Sequence, residues 1–174
     1  ERDFMSRHLI LAGGGHAHLT ILANLSQLLA EGHRVTVVQP SDYHYYSGMG
    51  PGMLGGTYTP AEIRFATRQT VETRGGTFLR DRIERVDPVA KTVHLAGGGR
   101  LSYDLLSFNL GSYVPRTLVT GDMTDIYTVK PIEALIAAGQ RVREVVREKP
   151  AALAVVGGGP AAVEFAGDLW QLSR

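Results

Sequence analysis

The chain has 174 residues, room for one ordinary domain and the beginning of a second. With 44% hydrophobic and 20% charged residues it has the balance of a packed globular protein, and a net charge of +1 leaves no electrostatic footprint for nucleic acid. No apolar run approaches the roughly 18 residues needed to cross a bilayer, and a cysteine count of zero excludes a redox disulfide, a thiolate nucleophile and a Cys-ligated metal within these residues.

Glu1 to Ser6 is charged and lacks an apolar h-region, so it does not read as a secretory signal, and Met5 is a candidate native start. His8-Leu9-Ile10-Leu11-Ala12 is a short apolar run ending in glycines, which suits a buried parallel strand. From His16 the pattern turns helical, with Ile21, Leu22, Leu25, Leu28 and Leu29 on one face and Gly32 placed to close the C-terminus. Arg34 to Gln39 is a second strand, stopped by Pro40. Strand, turn, helix and strand together have the size of one mononucleotide-binding unit.

Asp42 to Tyr58, rich in Gly, Tyr and Pro, reads as an ordered loop. Pro60 to Ile63 reads as a helical turn capped by Thr59, and Arg64 to Arg74 as a helix. Four β-like segments follow, Thr77 to Arg80, Arg82 to Val86, Thr92 to Leu95 and Arg100 to Ser102, and predict a small antiparallel meander inserted into the α/β unit. Leu105 to Leu110 is a further apolar strand stopped by Gly111. Pro131 to Glu148 reads as a long helix, Ala152 to Val156 as a strand, and Ala161 to Leu172 as a helix after the turn Gly157-Gly158-Gly159-Pro160. The fold class is therefore α/β, a three-layer parallel-sheet domain over residues 7–150 with an inserted meander, followed at 151–174 by the first strand and helix of a second such domain.

The turn Gly13-Gly14-Gly15 carries the chemistry. A strand feeding a glycine turn feeding a helix presents unpaired N–H groups and the positive end of the helix dipole, and the glycines let a pyrophosphate approach that backbone. Gly13 and Gly15 fit the first two glycines of Gly-x-Gly-x-x-Gly, with His16 and Ala17 contributing backbone. His18 occupies the third position, which implies looser helix–strand packing or a ring pointing outward. Gln39 stands where an acidic residue usually accepts from ribose hydroxyls; its amide oxygen can accept without charge assistance, and a solvent-facing strand end is the alternative. His16 and His18 lack further ligands for a metal, so none is expected.

The second turn, Gly157 to Ala162, matches Gly-x-Gly-x-x-Ala, with Gly157, Gly159 and Ala162 at the three small positions. The strand that would carry its ribose-binding residue is not within these 174 residues.

Two glycine turns bracketing a β-meander, with the Tyr103-Asp104 strand between them, resemble the two-dinucleotide-binding-domain flavoproteins of the pyridine nucleotide-disulfide oxidoreductase superfamily. The chain looks most like type II NADH:quinone dehydrogenases and related proteins, and Tyr45 to Gly56 resembles the flavoprotein region fused to selenide water dikinase. The resemblance implies a Rossmann-like FAD-binding domain and the start of an NAD(P)H-binding domain. It puts Pro51 beside the isoalloxazine, Ile83 near the adenine, Pro40 beside Gln39 at the strand end, and Asn109, Leu110 and Gly111 by the ribityl and phosphate region. It also implies hydride transfer from NAD(P)H to FAD and electrons passed to a quinone or similar small molecule, with Glu164 the acidic candidate near the nicotinamide. A sulfide:quinone or disulfide-type reductase with cysteines beyond Arg174, and a non-catalytic nucleotide-binding module, stay open. So do a homodimer and peripheral contact with the inner face of the membrane through later segments of an otherwise cytoplasmic protein. The chain itself reads as a fragment, expected to be inactive alone.

Overall fold

The computed structural model describes residues 5–172. In chain order its elements are β1 (His8–Ala12), α1 (Leu19–Ala23), α2 (Leu25–Ala30), β2 (Arg34–Gln39), β3 (His44–Tyr45), α3 (Gly50–Leu54), β4 (Arg64–Phe65) and α4 (Thr67–Thr73). These are followed by β5 (Thr77–Arg80), β6 (Ile83–Asp87), β7 (Thr92–Leu95), β8 (Arg100–Ser102), β9 (Leu105–Phe108), α5 (Glu133–Glu148) and α6 (Pro160–Leu172). They fall into two compact units. One comprises the chain up to His44 together with Phe65–Gly111, and the other Tyr45–Arg64 together with the chain from Ser112 onward.

The first unit is built on a parallel sheet of order β5-β2-β1-β9, with Leu9 opposite both Val35 and Leu105. Both faces of this sheet are covered, which is why β1 and β2 are apolar without alternation. On one face Leu11, Val35 and Val37 meet Leu22 and Leu25 of the helices after β1 and Val71 of α4. On the other, Ile10 and Val38 meet Val93 and Leu95 of the antiparallel meander β6-β7-β8. Each of these buried side chains contributes roughly 1.5–3 kcal/mol against exposure. His8 couples the layers. Its Nδ1–H donates to the Ser102 carbonyl at 2.7 Å, and its Nε2 lies 2.8 Å from the Thr36 hydroxyl, which donates to it.

Several elements differ from the sequence expectation. The helix after the glycine turn is not continuous: a 3-10 turn at His16–His18 leads into α1, and Asn24 separates α1 from α2. The Asn24 amide donates to the Thr20 carbonyl at 2.8 Å and its backbone sits at φ −101°, ψ 14°, so the side chain competes with helical backbone bonds at that position. The segment 77–80 belongs to the parallel sheet, with Thr77 opposite Thr36, rather than to the meander. The helix expected from Arg64 starts at Thr67, because Arg64 and Phe65 are extended in the β3–β4 ribbon.

The stretch Asp42 to Tyr58, which enters the second unit at Tyr45, is not loop throughout. Gly50 to Leu54 forms α3, with Pro51 in its first turn, where a missing N–H costs nothing. Met53 and Leu54 are buried with Ile63, Ile132, Leu135, Ala138 and Phe165. A Cβ on Gly50 would stand 2.9 Å from Ile132 Cδ1, so the glycine is what lets α3 sit this close. Thr59 is tied to Glu62, whose carboxylate accepts the Thr59 N–H at 2.7 Å and the hydroxyl at 2.8 Å. Ala152 to Val156, expected as a strand, forms none. A strand is defined by its partners, no described residue pairs with this stretch, and Val156 is fully exposed. Helix α6 packs through Phe165 and Leu169 onto the core of this unit. Among the described residues, no helix is long and apolar enough to cross a membrane.

Candidate functional site

In the first unit, strand order reverses at β1: β2 and β5 lie on one side of it and β9 on the other. In open parallel sheets such a reversal leaves a crevice beyond the carboxyl ends of the strands, where ligands bind. The turn Gly13-Gly14-Gly15 lies at that position. Gly13 donates its N–H to the Val38 carbonyl at 2.8 Å, and the His18 N–H closes onto the Gly15 carbonyl at 2.9 Å. Gly13 has φ +85°, and a Cβ there would be 2.2 Å from the Asn109 carbonyl oxygen. A Cβ on Gly15 would be 2.6 Å from Asn109 Oδ1. Asn109, held by its N–H to the Ala12 carbonyl at 2.8 Å, is thus packed against the turn.

His18 neither points outward nor loosens the packing; it is 2% exposed. Its Nδ1–H donates to the Gly13 carbonyl at 2.6 Å, and Ser107 Oγ faces Nε2 at 2.8 Å. The imidazole fills the space that a third glycine would have closed, and it joins the glycine turn to β9. Ser107 carried no signal in the sequence, because its role depends on β9 lying beside β1.

Gln39 is likewise buried, at 6% exposure, and not a solvent-facing strand end. Its Oε1 accepts the Gly14 N–H at 2.7 Å, while Nε2 donates to the carbonyls of Ser41 at 2.6 Å and Tyr43 at 2.9 Å. The amide oxygen read as an acceptor for a ribose hydroxyl thus already accepts one hydrogen bond from the turn. Two further side chains join this corner. Thr67 is buried beside Gly14 with no hydrogen-bond partner for its hydroxyl. Asp42 carries the acid nearest along the chain to the carboxyl end of β2, and its carboxylate lies 3.7 Å from Arg68 Nη1 and 3.8 Å from Arg80 Nη1.

The remaining residues named from sequence are distributed unevenly. His16, Ala17 and Pro40 are exposed, as are Leu110 and Gly111 after β9. Ile83 opens β6, and its side chain packs against the meander core. Asp104 accepts the His8 N–H at 2.7 Å; this bond, helped by the nearby charges of Arg7 and Lys91, holds its carboxyl below the usual carboxylate range.

The second unit contains its own cavity of about 470 Å³. Gly48, Met49, Gly52 and Tyr58 line it on one side, and Val163, Glu164, Gly167 and Asp168 of α6 on the other. Pro51 is buried in α3 and is not among the lining residues. The turn at Gly157 and Gly159 is exposed, and Ala162, half-buried, donates its N–H to the Gly159 carbonyl at 2.9 Å.

Residues 7–174 match the family model described as pyridine nucleotide-disulphide oxidoreductase. The chain is similar to an external alternative NAD(P)H-ubiquinone oxidoreductase B2, mitochondrial, of Arabidopsis thaliana, at 25% identity over 97% of this chain and 32% of the relative. It is also similar to a type II NADH:quinone oxidoreductase of Staphylococcus saprophyticus, at 25% identity over 94% of this chain and 43% of the relative. Its fold matches NDH2 of Plasmodium falciparum, solved in complex with NADH, with a TM-score of 0.75 at 21% identity over 94% of this chain and 37% of that one. The chain thus spans about a third to two fifths of these relatives. It belongs to the pyridine nucleotide-disulphide oxidoreductase family and has a Rossmann-like α/β fold with an added antiparallel meander.

Proposed function

We propose that this member of the pyridine nucleotide-disulphide oxidoreductase family is the front part of an FAD-dependent NAD(P)H oxidoreductase whose electrons go to a quinone or a similar small acceptor. The observation that carries the reading is the glycine turn at the strand-order reversal, with Asn109 on one flank and Gln39 on the other. Residues 7–150 would hold the flavin nucleotide, and 151–174 would open the NAD(P)H domain.

The residues present fit a dinucleotide. Close contacts at Gly13 and Gly15 already exclude side chains there, so the backbone stays open to a pyrophosphate that needs N–H donors rather than a large pocket. When bound, FAD supplies the two-electron chemistry, and the protein supplies position and electrostatics. The chain's own part is to donate hydrogen bonds from the first helical turn after Gly15 and to hold that turn rigid through His18 and Gln39. In the second unit the cavity brings the segment around Gly52 to α6, and of the two acids lining it, Glu164 and Asp168, Glu164 is the one we assign to stand beside a reacting ring. A quinone acceptor would bring the whole protein to a membrane surface. Cysteine-dependent reduction would require residues outside this chain, which has none.

The test is made on the protein that contains this chain in full. Purified, it should show flavin absorbance that NADH or NADPH bleaches under anaerobic conditions and that a soluble quinone restores. Protein that stays colourless after incubation with FAD would end the flavoenzyme reading and leave a non-catalytic module. Bleaching that no quinone reverses would remove the acceptor alone.

A further inference from the structure

We propose that Asp42, and not Gln39, accepts the ribose hydroxyls of the adenosine half of the nucleotide held at the first glycine turn; this rests on the reading just given. Gln39 occupies the strand end from which an acid usually reaches a ribose. Its oxygen already accepts the Gly14 N–H and both amide hydrogens go to the carbonyls of Ser41 and Tyr43, so at 6% exposure the side chain keeps a single buried lone pair.

Those same bonds fold residues 41–43 over the end of β2 and place Asp42 between the two anchored carbonyls. Asp42 is fixed from the other side as well, its own carbonyl accepting the Arg68 N–H at 3.1 Å. Its carboxylate reaches toward Arg80, the last residue of β5 and the register partner of Gln39. It therefore lies over the carboxyl ends of β2 and β5, on the crevice side of the sheet. Chemically, the carboxylate is incomplete. Oδ1 is buried without a hydrogen bond, and the two guanidinium groups stand at ion-pair distances of 3.7 and 3.8 Å, beyond hydrogen-bond reach. The side chain keeps 31% exposure, so a ligand can approach it. A carboxylate lacking donors is complementary to the O–H groups of a ribose diol.

The experiment uses flavin-free protein containing the full chain, with ADP and 2′,3′-dideoxy-ADP as probes in isothermal titration. Wild type should bind ADP roughly ten-fold or more tighter than the dideoxy analogue, the ratio expected for hydrogen bonds to a charged acceptor. Asp42→Ala should bind the dideoxy analogue as wild type does and lose the preference. Asp42→Asn, which keeps the shape and one acceptor oxygen, should retain part of it and covers the case in which the alanine variant fails to fold. A preference that survives both substitutions overturns the assignment, and so does a wild type that binds both probes equally. A wild type that binds neither probe overturns the nucleotide reading itself, and the assignment falls with it.

Discussion

The Gly14 N–H ends on the side-chain oxygen of Gln39, 2.7 Å away, and the other end of that amide is held by the carbonyls of Ser41 and Tyr43. The side chain read as a weak substitute for a ribose-binding acid is a clasp between the glycine turn and the chain after β2. Gln39→Glu should then harm rather than help. It would set a carboxylate oxygen against two carbonyl oxygens in a buried corner, at a cost of roughly 1–3 kcal/mol. Urea unfolding should show the loss, and flavin titration should show no gain in affinity. A tighter flavin complex in this variant would mean that the clasp opens when nucleotide binds.

His18→Gly restores the usual third glycine of the motif, and here it should destabilise. The substitution empties a buried site and leaves the Gly13 carbonyl and the Ser107 hydroxyl without their shared partner. The expected loss is about 2–4 kcal/mol, from the cavity and the unsatisfied groups together. Ser107→Ala, which removes only one bond, should cost about 1 kcal/mol. Thermal unfolding of the two variants side by side checks the order.

Gly13 and Gly15 should respond differently to alanine. At Gly13 the obstacle is the Asn109 backbone at 2.2 Å and a positive φ, so no second substitution can relieve it. At Gly15 the obstacle is the Asn109 side chain at 2.6 Å. Gly15→Ala should therefore weaken folding, and adding Asn109→Ala should recover most of the loss. Gly13→Ala should stay defective with either residue at 109. Circular dichroism melts of the four variants decide it.

The Asp104–His8 bond has a pH signature. The Asp104 carboxyl is held below its ordinary range when folded, so its stabilisation is present above the unfolded value, about 4. It is lost as pH falls through the lower folded value. The unfolding midpoints of wild type and Asp104→Ala should differ at pH 7 and converge as the pH is lowered below about 4. Midpoints whose separation is unchanged across that range would assign the effect to packing.

The sequence was most informative where a pattern is local. The apolar run of β1, the helical face of α5 and the strand–glycine–helix order at Gly13 are all visible within a few turns of chain. What could not be read depends on distant partners. Whether Thr77 to Arg80 joins the sheet or the meander is decided by the free edge of β2, not by its own four residues. Gly50 to Leu54 reads as loop because of its Gly-Pro-Gly composition, yet burial of Met53 and Leu54 against residues far along the chain keeps it helical. The burial of Gln39 and His18 was hidden for the same reason, since their bonding partners are set by the turn at 41–43 and by β9.

The first strand of this chain sits inside its sheet, with β2 on one side and β9 on the other. The bond that fixes its second edge, from His8 to Asp104, closes across 96 residues. A ribosome delivers β2 soon after β1 and β9 only after the meander, so in that interval β1 presents an open hydrogen-bonding edge beside a folded neighbour. Pairing of such high sequence separation is slow to form, and an open strand edge is a template for the wrong partner. Chaperone dependence during synthesis, and aggregation of truncations that end before Leu105, follow from where this one strand lies.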